Sequence, residues 1–327
     1  MTIQITVLGL SQVGVSIGLA LAEHKEKIVR VGNDRDPGVM GKAKKMGAFD
    51  TTTFNLPGAV EKADVVILAL PVDELYEVLK VIAADLKEGA VVVDTSTVKV
   101  KVAEWAKELL PEGRYFVTMT PTLNPAYLEE QSAGPDAAHA DLFKNSLMVI
   151  TSPPGTDADA LKLAADLTAL LGATPYFADV YESDGLLAAS ALLPRLAAAA
   201  LLNAVMDQPG WQEGRKLAGK TFAQSTLPAL ELDSAGAPGQ EALLNQENVL
   251  RVLDNYMNEL HAIRQLVAEN EGEALGKRIS QALANRQVWL KQRQAADWDQ
   301  RPKAEMPTAG EILGGIFLGR FRKPKEK

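Results

Sequence analysis

The chain has 327 residues, a formal net charge of −8 and no cysteine. That length predicts about two domains with room for large cores, and the 47% apolar and 23% charged fractions are those of a soluble globular protein. The acidic balance argues against general nucleic-acid or anionic-membrane partners, and the lack of cysteine excludes disulfides, thiolate catalysis and Cys-ligated metal sites.

In chain order, Ile3–Leu8 is an apolar, β-branched strand reached without a basic region or an apolar leader, which predicts a cytoplasmic protein. It runs into Gly9-Leu10-Ser11-Gln12-Val13-Gly14 and then an apolar helix, Val15 to Ala22. Gly9 permits a tight turn and Gly14 lets the helix pack close on the sheet, while Ser11 stands where a third glycine is usual. Backbone N–H groups at such a helix start suit a pyrophosphate. The next strand, Ile28–Gly32, ends at Asn33-Asp34-Arg35. Asp34 falls about 20 to 25 residues past Gly9, where a carboxylate binds ribose hydroxyls and repels a 2′-phosphate. NAD is therefore the expected cofactor; Arg35 keeps NADP open, since an arginine there can hold that phosphate.

Helices at Pro37–Met46, after Asn55, at Glu74–Leu86 and up to Leu110 alternate with strands at 65–70, 90–94 and 115–119. Continuous apolar strands alternating with helices predict a doubly wound parallel sheet. In such a sheet the segments after Leu8, Gly32, Leu70, Asp94 and Met119 converge on one cleft beyond the carboxyl ends. Leu70-Pro71 and Thr95-Ser96 thereby join the expected cofactor site. Further strands are expected at Leu147–Ile150 and Thr174–Phe177, with Asp157 or Asp159 capping a helix between them.

From about residue 178 the pattern is helical, with loops at Gly219 and Ser234–Gly239 and long helices at Glu241–Glu271 and Ala274–Gln294. Leu186–Met206 is long enough to span a bilayer, but the central Arg195 favours a helix buried on all sides in a soluble protein or dimer. The expected organisation is an α/β Rossmann-type domain, 1–177, an all-α domain, 178–300, and a tail, 301–327, that docks on a partner subunit.

The motifs Gly9-Leu10-Ser11-Gln12-Val13-Gly14-Val15-Ser16, Asp64–Val72 and Asp94-Thr95-Ser96-Thr97-Val98-Lys99 resemble the prephenate/arogenate dehydrogenase family, as do Ala140–Phe143, Leu171–Ala173 and Ala188–Asn203. The resemblance implies a nucleotide-binding domain, a helical domain forming an intertwined homodimer, and hydride transfer between a small carboxylate-bearing substrate and nicotinamide. The differences gather at the chemistry. Thr120-Pro121 stands for the family's His-Pro, Ser190–Arg195 for its Ser-His-Leu-Pro-His, and Thr226-Leu227 for its Thr-Arg. Threonine is no general base near neutral pH, so the substrate is expected to differ from the family's. Thr97, Thr120 and Asn124 are then the candidates to orient the reacting group. Arg195 either holds a substrate carboxylate or pairs with Glu182 or Asp184. Of the three histidines only His139 lies near the cleft segments, and no residue pair shows metal spacing.

Two alternatives stand beside that reading. One is a catalytically inactive NAD-binding dimer. The other is an enzyme like the β-hydroxyacid dehydrogenases and imine reductases, to which Asp94-Thr95-Ser96-Thr97 is similar; that class's downstream catalytic lysine on a glycine-rich helix is missing here.

Overall fold

The computed structural model describes residues 2–229, 236–296 and 298. Eight strands form one sheet: β1 Ile3–Leu8, β2 Ile28–Asn33, β3 Thr51–Thr52, β4 Val65–Leu68, β5 Val91–Asp94, β6 Tyr115–Pro121, β7 Leu147–Thr151 and β8 Thr174–Phe177. Their spatial order is β3-β2-β1-β4-β5-β6-β7-β8. The order reverses between β1 and β4, which pair in parallel from Ile5 with Val65 to Leu8 with Leu68. Ligands of open α/β sheets bind at that reversal, outside the strands' carboxyl ends.

Six helices cover the two faces: α1 Gln12–Ala20, α2 Pro37–Lys45, α3 Leu56–Val60, α4 Val72–Ile82, α5 Val100–Leu109 and α6 Ala158–Leu170. Alternate strand residues point to opposite faces. Ile5, Val7, Ile67 and Val93 therefore meet Val15 and Ile17 of α1, Met40 of α2 and Leu167 of α6 in one core. Leu8, Val66, Leu68 and Val92 meet Val60, Leu75, Leu79 and Val102 in the other. Two buried faces explain why these strands read as unbroken apolar runs.

The sheet differs from a fully parallel one in that β7 runs antiparallel to β6, with Met119 opposite Ile150 and Pro121 opposite Met148. The segment between them carries only two short 3-10 turns, Pro125–Tyr127 and Gly134–Ala137. A parallel return would need a crossover, usually a helix, and none is built there. The two-residue β3 is too short to show as a hydrophobic run.

The helical part comprises α7 Val180–Leu187, α8 Leu193–Met206, α9 Trp211–Gly214, α10 Lys220–Thr226, α11 Ala237–Leu244, α12 Gln246–Ala268 and α13 Gly272–Ala295. The expected loop at Ser234–Gly239 already belongs to α11 from Ala237, because Pro238 is tolerated in a helix's first turn. A π turn, Ala188–Leu192, joins α7 to α8. The resulting Val180–Met206 run is long and apolar enough to cross a membrane by length and composition alone. It is not buried on all sides within the chain. Ala188 and Leu192 pack against Val249 and Val252 of α12, and only 17% of its most apolar window is covered. The tail, 301–327, with its apolar patch and basic end, lies outside the described residues.

Candidate functional site

The turn after β1 is shaped by two glycines. Gly9 has φ +90°, and a Cβ there would overlap the Ala69 carbonyl oxygen at the end of β4. A Cβ on Gly14 would overlap the carbonyl of Gly9 itself, so α1 starts directly against the turn. Ser11 occupies the N-cap position, but its side chain makes no capping bond and the first turn holds no acidic residue. The first N–H that the helix returns to the turn is that of Val15, to the Ser11 carbonyl at 3.0 Å. The preceding helix-start N–H groups, on Gln12, Val13 and Gly14, are left for an anion.

Asp34, at the end of β2, is fixed from both sides. Its Oδ2 accepts the Leu10 N–H at 2.8 Å and its Oδ1 accepts the Asp36 N–H at 2.9 Å. Arg35 forms an ion pair with Glu74 of α4 at 2.7 Å. Gly9, Leu10, Ser11, Asp34, Arg35, Leu70 and Pro71 all line one cleft of about 420 Å³ at the β1/β4 reversal. Gln12 and Val13 belong to the same turn but face elsewhere: Gln12 Nε2 donates to the Ala137 carbonyl at 2.9 Å, and Val13 packs on the core beside α1. Gly134 and Pro135, from the segment between β6 and β7, close the cleft's far side.

The second group of residues sits at the neighbouring ends of β5 and β6. Thr95 Oγ1 donates to the Leu68 carbonyl at 3.0 Å, tying this loop to β4. Ser96 donates its hydroxyl to Asp94 Oδ2 at 2.8 Å. Its carbonyl in turn accepts the Thr120 hydroxyl at 2.7 Å. Thr97 Oγ1 is buried with no hydrogen-bond partner. A buried hydroxyl left unpaired is costly, so Thr97 is the group here with bonding capacity to spare.

Asn124 and Arg195 both have partners within the chain. The Asn124 amide donates to the Asp141 carbonyl at 3.0 Å and its oxygen accepts the Ala126 N–H at 3.1 Å, so it holds its own loop. Arg195 pairs with neither Glu182 nor Asp184. Its Nη2 lies 2.9 Å from Oε2 of Glu241 and its Nη1 3.4 Å from Oε1. The pairing across 46 residues is set by the packing of α11 on the π turn, which sequence spacing does not reveal. His139 stacks on Tyr127 at 4.0 Å between ring centroids and lies 3.6 Å from Glu130.

Sequence reasoning assigned no role to Lys99, Asp94 or Arg293, and took Asp184 only as a candidate partner of Arg195. Lys99 is wholly buried, its ammonium 3.3 Å from Asp94 Oδ2. Burial pushes the Lys99 ammonium below its ordinary value, against the pull of Asp94, Asp184 and Glu241. Burial likewise raises the Asp184 carboxyl, although the Lys99 and Val100 N–H groups draw it down. Arg293, near the end of α13, is buried and donates to the Leu123 carbonyl three residues beyond Thr120. The available signal was a lysine flanked by Val98 and Val100 at the end of the Asp94–Lys99 motif. Among the described residues, no group of three or more His, Cys, Asp and Glu is placed to hold a metal ion.

The sheet order, the glycine turn and the fixed carboxylate define a nucleotide-binding domain of the kind used by oxidoreductases. Residues 17–176 match the family model described as prephenate dehydrogenase, nucleotide-binding domain. Over those residues the chain is similar to the nucleotide-binding domain of prephenate dehydrogenases. It is 26% identical over 274 residues to a cyclohexadienyl dehydrogenase of Zymomonas mobilis, covering 83% of this chain and 90% of that one. It is also 26% identical over 273 residues to a prephenate dehydrogenase of Bacillus subtilis, covering 82% and 71%. Among solved structures, the fold resembles that of prephenate dehydrogenase from A. aeolicus in complex with hydroxyphenyl propionate and NAD+. The TM-score is 0.75 at 22% identity, covering 88% of this chain and 98% of that one.

Proposed function

We propose that this chain is an NAD-dependent dehydrogenase that moves a hydride between a small carboxylate-bearing substrate and nicotinamide. The observation that carries the reading is the pairing of an uncapped α1 N-terminus with the fixed Asp34 carboxylate in one cleft. The donor set suits a dinucleotide: N–H groups for the pyrophosphate, an acid for the ribose hydroxyls, and Leu70 and Pro71 as an apolar wall. When bound, the nicotinamide supplies the hydride acceptor. The chain's own residues set the surroundings. Thr97 offers its unpartnered hydroxyl to the reacting oxygen, and Thr120 is held to the Ser96 carbonyl beside it.

Thr120 carries no group that titrates near neutral pH, so no proton is accepted there. This supports a substrate different from the prephenate or arogenate of the family, and it also supports the second reading, a dimer that binds NAD without turnover. A panel of cyclohexadienyl and 2-hydroxy carboxylates followed by NADH formation, and of 2-oxo carboxylates followed by NADH oxidation, decides between them. Turnover of any member supports the enzyme; tight NAD+ binding with no turnover supports the second reading. Lack of NAD+ binding sinks both.

The same reading divides the chain into a nucleotide-binding domain, 1–177, and a helical domain, 178–300, followed by the tail. A homodimer through the helical domain is supported by the thinly covered Val180–Met206 run. Exposed Met257, Leu260 and Val267 on α12 and Ile279 and Leu283 on α13 support it as well.

A further inference from the structure

We propose that Lys99 is the positioning residue of this site: its buried ammonium holds the Ser96 carbonyl, and with it the Ser96–Thr97 turn and the Thr120 hydroxyl, in register with the helical domain. This rests on the dehydrogenase reading above.

The Lys99 ammonium donates to the Ser96 carbonyl and lies 3.3 Å from Asp94 Oδ2. The same Ser96 carbonyl accepts the Thr120 hydroxyl at 2.7 Å. One oxygen thus links the ends of β5 and β6, with the lysine supplying the stronger, charged donor. Asp94 closes the loop from below, accepting the Ser96 N–H at 3.1 Å and its hydroxyl at 2.8 Å. Thr97, whose hydroxyl is free, is the next residue in the turn.

The helical part holds the same turn from the other side. Asp184 of α7 accepts the Lys99 N–H at 2.6 Å and the Val100 N–H at 3.1 Å, capping α5 from across the chain. Asn245, at the start of α12, donates to the Asp184 carbonyl at 2.9 Å. Lys99 is therefore held at its backbone by the helical domain while its side chain holds the reaction-side turn. Burying a lysine completely is expensive. A surface lysine would cost nothing at this position, and α5 already has one in Lys101, paired with Glu104. A wholly buried ammonium bonded to the turn that carries Thr97 is accounted for by what it positions.

Lys99 makes no contact with the exterior, so its effect passes through Ser96, Thr97 and Thr120. Loss of the ammonium should loosen the turn and lower kcat, while the nucleotide cleft at Asp34 is left intact. The absence of cysteine allows a clean test. Lys99→Cys carries a single thiol, which is alkylated in denaturant to the S-aminoethyl form, a lysine mimic, or to the S-propyl form of equal length without charge. Both are refolded beside mock-treated wild type, and Lys99→Met, made directly, is a second uncharged variant.

For the S-propyl and Met forms we expect kcat on the best panel substrate to fall about tenfold or more, with KM changing less than about threefold. Hydrogen exchange over residues 95–100 should rise about tenfold, with NAD+ affinity within about twofold of wild type. The S-aminoethyl form should recover both the rate and the protection. Recovery by the S-propyl form, or unchanged exchange and kcat in Lys99→Met, overturns the proposal. If wild type turns over nothing on the panel, the functional reading falls. The exchange data then decide separately whether Lys99 holds the turn.

Discussion

Replacing Gly14 by alanine tests the packing on which the nucleotide site depends. The added methyl would sit roughly 1 Å inside contact with the Gly9 carbonyl oxygen, and 3.2 Å from Cγ1 of Val7. Two effects oppose each other. Alanine is favoured over glycine inside a helix by about 1 kcal/mol, whereas overpacking a tight contact costs about 1–3 kcal/mol. The oxygen that the methyl meets belongs to the backbone of a turn and cannot swing aside like a flexible side chain. The upper end of the overpacking range therefore applies, and the net loss is about 2 kcal/mol. For a domain of this size that lowers Tm by about 4–8 °C.

The relief open to the protein is a shift of α1 away from the turn by about 1 Å. That shift carries the N–H groups of Gln12 and Val13 with it. A hydrogen bond to a charged group contributes about 1.5–3 kcal/mol, so losing one weakens NAD+ binding about 10- to 100-fold. Thermal unfolding followed by circular dichroism and NAD+ titration by calorimetry read the two effects on one preparation. An unchanged Tm together with an NAD+ Kd within about twofold of wild type would refute the reasoning. It would mean that neither the close approach nor the helix start matters to the site.

Because Asp34 is fixed in the cleft and Arg35 is tied to Glu74, NAD should bind more tightly than NADP. Glu74→Ala should free Arg35 and narrow the gap, as read by fluorescence titration of both nucleotides. Turnover of prephenate or arogenate should be absent or very low in wild type. Thr120→His alone should restore little, and the informative variant adds Leu227→Arg; robust wild-type NADH production from prephenate would remove the altered-substrate reading. Light scattering at low micromolar concentration should find a dimer, since the Val180–Met206 run is thinly covered in one chain; a stable monomer would contradict this. The last prediction concerns acid stability. Burial alone would raise the Asp50 carboxyl, but hydrogen bonds from the Arg30 side chain and N–H, with its charge, hold it below the ordinary 3.8. A carboxyl depressed in the folded state adds stability above its unfolded pKa and loses it as pH falls through the folded value. Asp50→Asn should therefore lower Tm at neutral pH and flatten the drop below about pH 4 in an acid titration of Tm.

Local patterning alone determined much of this protein. The strand–turn–helix start, the carboxylate after β2 and the apolar runs of β4 and β5 each follow from neighbouring residues, because strand burial and turn geometry act over a few positions. The helical second half was legible for the same reason. What required the tertiary structure was everything that joins distant segments. The antiparallel β7 depends on how the chain between residues 122 and 146 returns. The partner of Arg195 proved to be Glu241, which no spacing rule brings near. The loop partners of Asn124, Ala126 and the Asp141 carbonyl, emerge only when the loop closes. Lys99 stands in the Asp94–Lys99 motif, but the motif alone does not say what its side chain touches. Only the packing of β5, α5 and α7 shows it sealed between Asp94, the Ser96 carbonyl and Asp184. Burial of a charge is decided by what the fold places around it, and that is a property of the assembled chain.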